Sequence, residues 1–121
     1  MATTKAVTVL FNDVALVAGA GPTTSALATI DDGYGGGLNV KLTNGATGPT
    51  IPAQVQVQVS PDNSHWYDVG YALVGLTGNA AVASWGDIPV GIGVKYLQCI
   101  AGSNTDQNVT VRAEIVEVTG V

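Results

Sequence analysis

His65 is the only histidine in the chain, and it stands between Asp62 and Asp68. A histidine beside a carboxylate is the start of general acid–base chemistry, provided that the carboxylate orients the ring and a nucleophile faces its other side. Asp62, however, falls in a turn, and Asp68, three residues on along a strand, points to the opposite face. His65 therefore reads as an exposed hairpin residue. Cys99, the single cysteine, sits in the run Tyr96-Leu97-Gln98-Cys99-Ile100 and reads as a small core residue. One cysteine permits neither an intramolecular disulfide nor a cysteine metal cluster. With no nucleophile–base pair, no enzyme is expected and no catalytic residue is assigned.

The remaining signals are weaker. Asp31-Asp32-Gly33 begins like a calcium loop but lacks the alternating oxygen ligands and the distal glutamate. A loop calcium site would have to draw on Asp13, Asp31, Asp32 or Asp87, and no metal or cofactor is expected. Gly33-Tyr34-Gly35-Gly36-Gly37 leads into no helix and no Gly-Lys-Ser/Thr occurs, so phosphate loops are absent. Asn108-Val109-Thr110 matches a glycosylation sequon, as one stretch of a threonine-rich chain will by chance. Trp66 and Trp85 could form a sugar-stacking face if both rings were exposed; core and hairpin-capping roles are commoner.

The elements that would carry these residues are strands. The 121 residues suit one domain, 1–121, large enough to bury a core without staples. Charged residues make up 11% of the chain, against about 25% in ordinary soluble domains. Thirteen charges over a surface on the order of 6,000 Å² leave about one per 450 Å². Such a surface suits being covered by copies of itself or by another protein. The net charge of −5 and the scattered Lys5, Lys41, Lys95 and Arg112 argue against nucleic acid. No apolar run approaches the ~20 residues of a membrane helix. Lys5 followed by AVTVLFNDVALVAGA mimics a signal peptide, but Asn12-Asp13 interrupts it and reads better as a turn between two strands.

Valine, threonine, sixteen glycines and a turn signal about every ten residues indicate an all-β antiparallel sandwich of immunoglobulin-like or jelly-roll type. Eight or nine short strands are expected, over 6–11, 14–17, 24–30, 38–43, 54–60, 65–71, 80–85, 95–101 and 108–118. Leu38, Val40 and Leu42 share one face, as do Val55, Val57 and Val59, with Gln54, Gln56 and Gln58 in water. A slip of one residue would bury three glutamine amides, so the register is fixed. In the last strand Val109, Val111, Ala113 and Ile115 share a face, and then Val116 and Val118 follow with opposite parity. That predicts a β-bulge near Ile115-Val116, or a strand crossing between sheets; the bulge is favoured, and an unbroken ladder would refute it. Ser60-Pro61-Asp62-Asn63 is a turn, with Asn63 tolerating a left-handed conformation. Residues 44–49 and 31–37 form further loops.

The stretch Val57-Gln58-Val59-Ser60-Pro61-Asp62-Asn63-Ser64-His65-Trp66-Tyr67-Asp68-Val69 resembles a hairpin of small tailed-bacteriophage virion proteins, in which a strand, Ser-Pro-Asp, a few small residues, Trp and a short strand recur. The segments 38–45, 94–98 and 108–118 fit the same type, so the resemblance spans about residues 36 to 118. It implies a capsid decoration, or cement, protein on the exterior of the virion, made without a signal peptide. Its partners would be the major capsid protein and its own copies, as a homotrimer, with no catalytic residue. The residues offered for contact are Ala2, Thr3, Thr4 and Lys5 of an extended N-terminal arm, with Tyr34 and Trp85. A tail structural component and a carbohydrate-binding or adhesion module are the alternatives.

Overall fold

The computed structural model describes residues 4–30, 35–91 and 94–120. Among them lie nine strands and no helix: β1 (Thr4–Leu16), β2 (Thr23–Thr24), β3 (Ala28–Thr29), β4 (Gly36–Asn44), β5 (Gln54–Ser60), β6 (Tyr67–Val74), β7 (Val82–Val90), β8 (Tyr96–Gly102) and β9 (Val109–Gly120). They form two antiparallel sheets. One has the order β1-β9-β4-β7; in the other, β2 and β3 lie along one side of β8, followed by β5 and β6.

The pairing is concentric. β5 pairs with β6, β4 with β7, β2 and β3 with β8, and β1 with β9. The chain is thus one long two-stranded ribbon whose tip is the Ser60–Trp66 turn. Rolling that ribbon adds the pairs β4·β9 and β5·β8 and splits the strands between two sheets. This is jelly-roll connectivity, with β2 and β3 sharing one strand position. The antiparallel sandwich expected from the sequence is present, and of its two forms this topology selects the jelly roll.

Alternation places the core. Leu38, Val40 and Leu42 of β4 form one wall of the core with Val109, Val111, Ala113 and Ile115 of its neighbour β9, and Val55 and Val57 of β5 face them from the other sheet. β5 lies between β8 and β6, with its glutamines half-exposed on the outer face. Two buried asparagines tie loops to this frame. Asn44 donates through Nδ2 to the carbonyls of Leu76 and Gly78, each at 2.8 Å, and Asn104 donates to those of Leu16 and Gln107. At Gly48 a Cβ would run into the Thr77 and Gly78 carbonyl oxygens, so the 44–49 loop can pass there only as glycine.

Several expectations are corrected. Asn12-Asp13 is not a turn: β1 runs through it as one strand, with a shifted register against β9 and Asp13 at φ 52°. The extra residues are absorbed by a bulge, which Arg112 Nη1 grips from β9 at 3.0 Å to Asn12 and 3.3 Å to Asp13. The predicted bulge at Ile115-Val116 is absent. β9 pairs without a break there against both β1 and β4, and burial continues in phase to Glu117. The parity change has another origin: Glu117 turns inward, while Val116 and Val118 stay on the outer face. The strand expected over 24–30 shrinks to β2 and β3, and β6 starts at Tyr67, because the turn takes His65 and Trp66. β7 runs later than expected, and Gly36 and Gly37 belong to β4 instead of to a loop.

Candidate interaction surface

In the hairpin turn the Asp62 Oδ1 accepts the N–H groups of Ser64 and His65, while its Oδ2 lies 2.6 Å from His65 Nδ1. The His65 backbone bond, followed by its ring and the Ser64 N–H, holds the Asp62 carboxyl far below its usual range. Ser60 Oγ accepts the Asn63 N–H, and Asn63 sits at φ 61°. The histidine–carboxylate pair that the sequence reading set aside is made after all, within one exposed turn between His65 and Asp62, and it fixes the tip of the ribbon. Cys99 is fully buried, and burial pushes its thiol up to about 12, so the thiolate needed for chemistry is not formed at neutral pH. Among the described residues no three His, Cys, Asp or Glu side chains group as metal ligands.

Exposed apolar side chains are the feature that remains. β6 and β7 are the outer strands of the two sheets and lie on the same flank of the sandwich. On this flank the sheets splay, opening a cavity of about 240 Å³ lined by core-facing residues of β4, β5 and β8 together with Val69, Ala72, Trp85 and Ile88. Trp85 is paired with Val40, whose side chain is in the core, yet it is 55% exposed. Tyr67 and Val69 of β6 are 60% and 65% exposed. Val74, Leu76 and Val82 continue the apolar surface along the same flank. An outward row of this kind leaves large apolar area in water unless something covers it.

Bulges shape the flank. In β6 the register against β5 shifts twice, so that Val69 and Ala72 are the extra residues. Gly70, at φ 123°, allows the first of these shifts, which swings Val69 outward. β7 bulges at Gly86-Asp87, where Asp87 takes φ 54° and its N–H is received by Asn39 Oδ1 at 2.8 Å. Pro89 follows within the same strand. Bulges and an edge proline discourage addition of another strand, so a partner here meets side chains and not a bare strand edge.

Of the residues expected to make contacts, Trp85 lies at the centre of this flank. Thr4 and Lys5 are not a free arm: they are part of β1, paired with Gly120 and Val118. Ala2, Thr3 and Tyr34 lie outside the described residues, as do Asp31 and Asp32. Trp66 is half-buried and Trp85 exposed. Val69 was missed, although Gly70 inside an otherwise regular strand is a sequence sign of a bulge.

No family model matches the chain, and no curated protein does. Among solved structures it is similar to infectious bursal disease virus, Gx strain, with a TM-score of 0.60 and 10% identity over 94% of this chain and 31% of that one. A T=1 particle derived from infectious bursal virus gives 0.60 and 11% over 98% and 32%. The VP2 subviral particle of infectious bursal disease virus gives 0.58 and 10% over 94% and 32%. This chain spans about a third of the length of those chains. At such identities the likeness is one of fold alone, a two-sheet antiparallel sandwich.

Proposed function

We propose that the chain is a structural protein of a virus particle, which acts as a decoration protein on the outside of an assembled bacteriophage head. It would bridge subunits of the major capsid protein and reinforce the shell by area contact, without catalysis. One observation carries this reading: a jelly roll similar to particle-forming chains exposes Trp85, Val69 and Tyr67 together on a bulge-protected flank. The sparse charge supports it, since contacts made by neutral side chains cost little desolvation. Repetition of one modest contact over many equivalent shell sites gives avidity. The hairpin at residues 57–69 supplies the tailed-phage part of the reading. Co-sedimentation of the purified protein with shells that lack it tests the proposal. Saturable binding at a fixed number of copies per shell subunit is expected; no binding to head shells, with binding to tails instead, would move the protein to the tail.

A second reading has its own observation. Trp85 also borders a shallow hollow on the outer sheet face, shared with Asn39, Lys41, Arg112 and Glu114. An exposed indole beside hydrogen-bonding side chains is the arrangement that stacks and orients a sugar ring. Binding of soluble oligosaccharides, abolished by Trp85→Ala, would favour that function over shell decoration.

A further inference from the structure

Two of the chain's four basic residues stand face to face on the outer side of the β1-β9-β4-β7 sheet. Lys41 of β4 is directly opposite Arg112 of β9, and directly opposed residues project to the same side, where like charges repel. In a chain with nine acidic residues and a net charge of −5, this pairing concentrates positive charge at one spot. The two cations are not balanced alike. Arg112 is held by Asn12 at 3.0 Å, Asp13 at 3.3 Å and Glu114 at 3.5 Å. Lys41 is exposed and enters no ion pair among the described residues. The positive charge left over is therefore that of Lys41, in the hollow that it shares with Trp85.

We infer that this hollow takes an anionic sugar, with the pyranose ring on the Trp85 indole and its carboxylate at Lys41 Nζ. The inference rests on the second reading above, a sugar site beside Trp85, and names the class of sugar. The hollow measures about 240 Å³, more than the ~150 Å³ that holds a benzene ring, so one pyranose ring fits. Its walls supply partners for the other groups of such a ring. Ser84, directly opposite Lys41 from β7, offers a hydroxyl. Asn39 has its Oδ1 occupied by the Asp87 N–H, which leaves its Nδ2 to donate. Glu114, directly opposite Asn39 and held by Arg112, accepts from ring hydroxyls. A neutral sugar would leave Lys41 without a counter-charge, and a dense polyanion would meet Glu114 on the same wall. One carboxylate on an otherwise uncharged ring suits both. Apart from Trp85, these residues are separate from those that line the β6–β7 flank.

The test compares acids with their neutral esters. Digalacturonate and dimannuronate, each beside its methyl ester, are titrated into the full chain and followed by NMR, at low salt and again at about 0.5 M NaCl, where screening acts within a few Å. At low salt at least one acid is expected to bind about fivefold tighter than its ester, as one exposed ion pair allows, and the preference should vanish at high salt. Lys41→Gln should bind acid and ester alike, Lys41→Arg should keep the preference, and Trp85→Ala should lose both ligands. Lys41 is exposed, so unchanged thermal midpoints verify the fold of its variants. Equal binding of acid and ester by the wild type, or a preference that survives in Lys41→Gln, would overturn the anionic assignment and leave the sugar reading standing. If neither acids nor esters bind, the sugar reading falls and this inference falls with it.

Discussion

Replacing Trp85 by alanine should weaken shell binding far more than it weakens the fold. The indole has about 250 Å² of accessible surface. At 55% exposure roughly 140 Å² of it is left for a partner to cover. At about 25 cal/mol per Å² that area is worth about 3 kcal/mol, or about 150-fold in Kd. The remaining ~110 Å² is already inside the fold, so the variant should also lose up to about 3 kcal/mol of stability. A domain with a stability of ~5–15 kcal/mol stays folded after that loss. Val111→Ala serves as the control: its side chain is fully buried, and the truncation should cost about 2 kcal/mol of stability with no change in binding. Titration of shells with the three proteins, alongside urea unfolding, separates the two effects. If Trp85→Ala and Val111→Ala bind alike, Trp85 is not at the contact and the assignment of this flank fails.

Three further outcomes follow from the geometry. Asn44→Ala should destabilise the protein by about 2–3 kcal/mol, since it strips the Leu76 and Gly78 carbonyls of their donor; urea midpoints check this, and a loss under about 1 kcal/mol would show that water replaces the amide. Cys99 should resist thiol reagents at pH 8 in the native protein and react at once in urea, because burial holds its thiol near 12. The Asp62 carboxyl is depressed in the folded turn from its ordinary value of 3.8, so its contribution to stability is complete above that value and is lost as pH falls through the lowered one. The gap in stability between wild type and Asp62→Asn should accordingly shrink on acidification below pH 4, and a gap that is constant from pH 7 to pH 2 would contradict this.

Much of the frame is legible in the residues, because alternation over β4, β5 and β9 meets a one-sided core and leaves a single workable register. The Ser60–Asn63 turn is legible for a local reason: its hydroxyl and carboxylate bond their own backbone. What misleads is tertiary. Asn12-Asp13 has the chemistry of a turn, but the pairing of β1 with β9 on both sides of it converts the pair into a bulge. Val116 and Val118 break the alternation, and with only a single chain in view the natural inference is a bulge. The structure keeps the ladder and exposes the valines, so the irregularity belongs to a surface and not to the backbone. The buried Asn44 and Asn104 leave no mark in the pattern, because the Leu76, Gly78 and Leu16 carbonyls that they bond lie far off in sequence. Trp85 is visible as a candidate from its type, but its exposure follows from where the two sheets splay, which no local pattern encodes.

The central claim is that this chain coats a shell, and its copy number in purified particles, measured against the major capsid protein, tests that most directly. A ratio comparable to that of the shell subunit is predicted. A handful of copies per particle, or none, would contradict it.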